Sequence, residues 1–267
     1  MPHSDPGPIS AERQREAVLR LENGEDLDLV SREIGVDGAT LSEWREAYQR
    51  SDHRERTLDY FREAANKKQG FYDAAEGGAL VHSVWQRRVR THLLRRFAAL
   101  RHGCTSVLDV GCGNGDLVAE LAKENPTIQF RGNDFSAEMV EVANERYAGI
   151  SNLTYAHQDL LSIATSGHSA DLVICLNMFH HLHEGDLDAG MEAMAAVCNR
   201  SLLFEFKNAN NFWNRHLRPK GSFPHTMLAP KRAKSCLAAQ GLRVVNQWNI
   251  FGLDLLSPIV MIEFARH

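Results

Sequence analysis

The stretch Val107-Leu-Asp-Val-Gly-Cys-Gly-Asn-Gly-Asp-Leu117 limits the fold of this chain more than any other. Four β-forming residues run into a glycine-rich turn, and a helical pattern follows. The order is strand, tight loop, helix N-terminus. Glycines at 111, 113 and 115 let the backbone adopt dihedrals closed to other residues and pass close to a ligand. Asp134 follows the next predicted strand, Ile128 to Asn133. A carboxylate at that tip can accept both hydroxyls of a ribose. Glycine spacing alone is weak evidence; the strand before, the helix after and the acid at the second tip strengthen it.

The pattern downstream alternates. Strands are predicted over 104–110, 129–133, 152–157, 170–177 and 201–206. Helices are predicted over 116–124, 136–147 and 186–200. Such alternation builds a parallel sheet with right-handed crossovers. A helix over 82–101 precedes it, with Val81, Trp85, Val89, Leu93, Phe97 and Leu100 as the buried stripe. Another helix begins near Pro230 and ends before Gly241, leading to strands 243–248 and 258–265. In open α/β sheets, ligands bind beyond the carboxyl ends of the strands. Asp109, Asp134, Asp159 and Asn177 all fall there.

Four ordered motifs now stand together: the glycine turn, Gly132-Asn-Asp-Phe-Ser-Ala-Glu-Met139, His157-Gln-Asp-Leu160 and Asp171-Leu-Val-Ile-Cys-Leu-Asn-Met-Phe-His-His-Leu182. In these residues the chain resembles the class I S-adenosylmethionine (SAM)-dependent methyltransferases over roughly 67–267. The resemblance implies an α/β fold: a Rossmann-like, seven-stranded sheet, parallel with a C-terminal antiparallel hairpin. It implies SAM as cofactor and S-adenosylhomocysteine (SAH) as product. By the same resemblance, Gly111 and Gly113 approach the methionine part, with Asp109 orienting the turn. Asp134 takes the ribose hydroxyls, Phe135 and Met139 flank the adenine, and Asp159 with Leu160 meets the adenine amine. Asn177 ends strand four beside the amino group, and Tyr72 resembles a lid aromatic.

Methyl transfer from a sulfonium needs alignment of the nucleophile and exclusion of water. Some nucleophiles also need to lose a proton. His180, His181 and His183 follow strand four, and an imidazole titrates near neutrality. These three are the candidate catalytic residues. No carboxylate or cysteine stands at a metal-type spacing from them, so no metal is expected. The long segment after strand five mixes aromatics and cations. Trp213, Arg215 and Arg218 in it are candidate acceptor contacts. From Phe206 to Leu253 there are eight lysines and arginines and no acid, which suits an anionic or aromatic small molecule.

The first fifty residues form an all-α module. Ala11 to Glu22 reads as a helix stopped by Asn23-Gly24. Leu27, Val30 and Ile34 make a second stripe. A third helix begins at Asp37 or Thr40, where Thr40-Leu-Ser-Glu43 fits a capping box. Residues 51–66 read as a connecting helix. The pattern resembles the helix-turn-helix of insertion-sequence transposases. Yet Ser10 to Arg50 carries ten acids against six arginines, a poor balance for neutralising phosphates. Nucleic acid is therefore not expected as a partner. Packing or a homodimer through these helices suits the module better.

The five cysteines are scattered and odd in number, which fits reduced thiols in a cytoplasmic protein. The N-terminus lacks an apolar signal core, and no membrane association is expected. The expected function is methyl transfer to a small molecule. The alternatives are a nucleic-acid or protein methyltransferase guided by the module, and a SAM-binding regulator without turnover.

Overall fold

The computed structural model describes residues 9–66, 80–216 and 225–266. Contacts divide the chain into two compact units, Met1–Arg56 and Thr57–His267.

The first unit holds α1 (Ala11–Glu22), α2 (Leu27–Ile34) and the start of α3 (Gly38–Asn66). Ser10 caps α1 and Asp26 caps α2 through side-chain oxygens. Gly35 ends α2 in the left-handed region at φ 82°. Ala17, Leu21, Val30, Ile34 and Leu41 close a small core. Of the two expected starts for the third helix the structure selects Asp37. The Asp37 carboxylate, not a Thr40 capping box, receives the Thr40 amide at 2.8 Å and starts the third helix. The 51–66 segment is no separate connector either: it continues α3 without a break, because no glycine or proline interrupts it.

The second unit is a seven-stranded sheet in the order β3-β2-β1-β4-β5-β7-β6. The strands are β1 (Ser106–Val110), β2 (Gln129–Asp134), β3 (Leu153–His157), β4 (Ala170–Cys175), β5 (Cys198–Lys207), β6 (Leu242–Asn249) and β7 (Ile259–Arg266). β1 to β5 pair in parallel. β7 runs antiparallel to both β5 and β6, as the expected C-terminal hairpin requires. Helices α4 (Leu80–Leu100), α5 (Asp116–Glu124), α6 (Ala137–Tyr147), α7 (Leu187–Val197), short α8 (Phe212–His216) and α9 (Pro230–Ala239) complete it.

The central strands are apolar on both faces, as a doubly covered parallel sheet demands. On β4, Val173 and Cys175 join the core under α7 and α9. Leu172 and Ile174 on the same strand join the core under α4 and α5. Val89, Leu93 and Phe97 of the predicted α4 stripe are buried as expected, while the side chains at 81 and 85 lie outside the described ones. The α7–β5 boundary falls at Val197/Cys198, three residues before the predicted one. Arg266 fixes that junction by donating to the Cys198 and Ala195 carbonyls. Among the described residues, no helix is long and apolar enough to cross a membrane.

Candidate active site

The first four parallel strands deliver their carboxyl ends to one edge, and the glycine turn lies across β1 and β2. The amides of Gly111 and Cys112 donate to the Asn133 carbonyl at 2.8 and 3.0 Å. Gly113 donates to Asp134 Oδ2 at 2.9 Å. Both glycines have positive φ, at 72° and 55°. Their surroundings differ. A Cβ on Gly111 would stand 2.3 Å from Cγ of Met178, so that glycine is needed for a close backbone approach. A Cβ on Gly113 would meet nothing within 4 Å, so the turn opens there onto free space.

Asp134 is buried. Its second oxygen accepts the Ser136 amide at 2.9 Å. Ser136 in turn caps α6 by accepting the Met139 amide at 3.2 Å. One carboxylate therefore ties the turn, the β2 tip and the next helix together. Each of its oxygens keeps a lone pair for a further donor. Burial raises its pKa, and the two amides and His157 oppose that rise.

Two more carboxyls lie buried at this edge. Asp109 on β1 is pushed up to about 7, first by burial and then by the charge of Asp134. Glu205 on β5 is also pushed up to about 7 by burial, against the Asn177 amide and the charge of Lys207. Glu205 Oε2 accepts the Asn177 N–H at 2.5 Å. That bond holds Asn177 at φ 50°, among the described residues the one positive φ outside glycine. Such a conformation costs energy and persists only where neighbours impose it. Sequence reasoning missed Glu205. The signal was present: a lone acid inside Leu202-Leu-Phe-Glu-Phe206, a strand otherwise buried.

Phe135 and Met139 belong to a small apolar cluster with Phe61 and Ala65 of α3. Phe61 meets the Phe135 ring edge-on at 5.7 Å. Arg62 pairs with Glu138 at 2.8 Å on the same side. Asp159 spends one oxygen on the Leu161 amide, at 2.9 Å, capping its own turn. Leu160 is buried in the core that includes Phe179 and Met191. The Leu160 side chain packs in the core, which leaves its backbone as the part that could meet a ligand.

His180 and His181 are buried in a 3-10 turn just past β4, their ring centroids 4.0 Å apart. His183 does not join them. Its Nδ1 accepts the Gly185 amide at 3.2 Å and starts the next turn. The third imidazole comes from His225, whose ring lies 5.0 Å from that of His180. The Thr226 amide donates to the His180 carbonyl at 2.9 Å, and the Thr226 hydroxyl donates to the Leu182 carbonyl at 2.6 Å. Those two bonds bring a residue more than forty positions away into the group. Phe61 and Tyr60 wall it, with ring centroids 5.0 and 6.3 Å from His181.

Trp213 stands exposed on α8 next to Phe212. A network of Asn208, Asn211 and Asn214 ties this segment to the loop before β7. Tyr72 and Arg218, and the side chain of Arg215, lie outside the described residues. The expected excess of cations is partly consumed: Arg232 pairs with Asp188 and Glu184 of the α7 entrance.

Residues 107–201 match the family model described as a methyltransferase domain. The match covers β1 to the start of β5, and the solved structures below share the Rossmann-like fold of the second unit. Among individual proteins, a demethylmenaquinone methyltransferase from Staphylococcus aureus is 37% identical over 93 residues, 34% of this chain and 36% of that protein. The match spans about a third of the relative's length. The magnesium protoporphyrin IX methyltransferase of Synechocystis PCC 6803, solved with SAH, superposes with a TM-score of 0.59 at 21% identity, over 71% of this chain and 89% of that one. The N-methyltransferase NodS of Bradyrhizobium japonicum WM9, also solved with SAH, gives 0.60 at 16% identity, over 79% and 98%.

Proposed function

We propose that this protein transfers a methyl group from SAM to a small-molecule acceptor. One observation carries the reading. Three buried carboxyls, Asp109, Asp134 and Glu205, gather at the edge where the Gly111–Gly113 turn opens. Burial disfavours their charged forms, and a cationic ligand would relieve that cost. SAM carries both an ammonium and a sulfonium, so the residues fit it.

Asp134 accepts the ribose hydroxyls, Gly111 and Gly113 face the methionine portion, and Asn177 with Glu205 stands by its ammonium. Phe135 lies against the adenine. When bound, SAM supplies an activated methyl group. The chain's own residues align the acceptor and keep water out; Phe61 and Tyr60 do the latter at His181. The His180–His181 pair faces the acceptor and accounts for the loss of its proton. Trp213, Arg215 and Arg218 receive the acceptor's body, favouring an aromatic or anionic molecule.

The first unit supports a small acceptor over a nucleic acid. Arg20 is engaged by Glu25 and Glu33, and Arg45 by Glu22, so these guanidiniums are already matched to acids. Calorimetry with SAM and SAH, followed by a screen of metabolite extracts with methyl-labelled SAM, tests the proposal. Saturable SAH binding and label in a small product support it. Label recovered in RNA, DNA or protein would overturn the acceptor class. Binding without any labelled product would leave a regulator.

A further inference from the structure

We infer that His180, His181 and His225 form a binding site for a borderline transition-metal ion such as Zn2+ or Co2+. One ligand nitrogen from each ring lies within 4.8 Å of the others, and two of the three rings are buried. Nitrogens of a tetrahedral three-histidine zinc site stand about 3.3 Å apart, given Zn–N bonds of about 2.0–2.1 Å. Modest ring rotations close that difference. The rings are also held from behind. The His181 amide donates to the Met178 carbonyl at 2.8 Å, and the two Thr226 bonds fix His225 against His180.

The donor set selects the metal class. Three imidazoles, grouped with no carboxylate among the described residues, suit zinc, cobalt or nickel and disfavour magnesium and calcium. Lys207 stands beside the group, its Nζ 3.4 Å from Nδ1 of His225, and its positive charge works against a cation bound there. Three histidine ligands leave a fourth position open. That position takes water or an oxygen of the acceptor, which a metal ionises with the proton passing to solvent. The assignment of that oxygen to the acceptor rests on the methyl-transfer reading above; metal uptake itself does not.

The test uses the full chain, stripped with a chelator and titrated with Co2+ and then Zn2+ in competition with a chromophoric chelator. The expected result is one equivalent per chain with the visible band of tetrahedral Co2+. His225→Gln should weaken uptake at least thirtyfold while SAH affinity, measured in the same preparation, stays unchanged. His168→Ala, an exposed imidazole elsewhere, should change nothing. Lys207→Met should tighten uptake. Absence of stoichiometric uptake with normal SAH binding would overturn the metal site and spare the methyltransferase reading. Uptake indifferent to His225→Gln would also overturn it. Should that variant not fold, X-ray absorption of the zinc-loaded wild type decides: scattering from three imidazole rings is required, and fewer than three refutes the assignment.

Discussion

Glu205 offers the sharpest test of the site's electrostatics. It is 2% exposed on β5, and burial lifts its pKa from an ordinary 4.5 to about 7. Between those values the folded protein holds a proton that the unfolded chain has released. Stability therefore falls as pH rises through this window. The favourable contribution is full below about pH 4.5 and gone above about pH 7. Each pKa unit corresponds to about 1.4 kcal/mol, so the whole window comes to about 3 kcal/mol.

Glu205→Gln removes the titration and keeps the shape. Its amide oxygen can still accept the Asn177 N–H, now as a neutral bond. Other groups, Asp109 among them, also make stability pH-dependent, but they do so in both proteins. The quantity to measure is the difference in unfolding free energy between variant and wild type, from urea titrations at half-unit steps between pH 4.5 and 8. That difference should swing toward the variant by about 3 kcal/mol across the range, with most of the change between pH 5 and 7. For a domain of this size it corresponds to a relative shift in Tm of roughly 6–12 °C. A difference that stays constant with pH would refute the reasoning, because it would mean Glu205 titrates alike in the folded and unfolded states.

Three further outcomes follow from the geometry. Asp134→Asn loses the charged acceptor and turns an amide NH2 toward the Gly113 or Ser136 N–H that a carboxylate oxygen now receives, which should weaken SAH binding by about 2–3 kcal/mol, roughly thirtyfold or more by calorimetry; wild-type affinity would remove Asp134 from the site. Gly111→Ala places a methyl 2.3 Å from Met178 at φ 72°, and should both lower thermal stability by more than about 1 kcal/mol and abolish cofactor binding. SAH or SAM binding near pH 7 should release protons from Asp109, visible as a buffer-dependent binding enthalpy that Asp109→Asn diminishes.

Much of the second unit was legible because its patterns are local. The glycine turn, the helix from 136 and the apolar strands each declare themselves within about ten residues. Helix α5 therefore falls at Asp116–Glu124, and the β7 reversal at the expected place. The signals that failed were non-local or competed with one another. Thr40-Leu-Ser-Glu43 is a valid capping box, but Asp37 stands three residues earlier and wins the amide. The burial of the Leu160 side chain in the core with Phe179 and Met191 is another long-range fact that no local pattern shows.

The histidines carry this contrast furthest. Sequence proximity joins His180, His181 and His183, and the structure separates the third. A 3-10 turn rotates successive side chains by about a third of a circle, and Gly185 offers His183 an amide to accept. The replacement, His225, has no sequence relation to the pair. It arrives because Thr226 bonds to the backbone of residues 180 and 182. Spacing rules for metal ligands assume that ligands come from one local motif, so they are blind to a site assembled by a long connection. His225 and Thr226 stand just before α9, in the chain segment that also holds the proposed acceptor contacts Trp213, Arg215 and Arg218. If the proposed roles hold, His225→Gln should alter the acceptor step while SAH affinity, set by the turn at β1 and β2, stays as it is; a matching loss of SAH affinity would refute that separation.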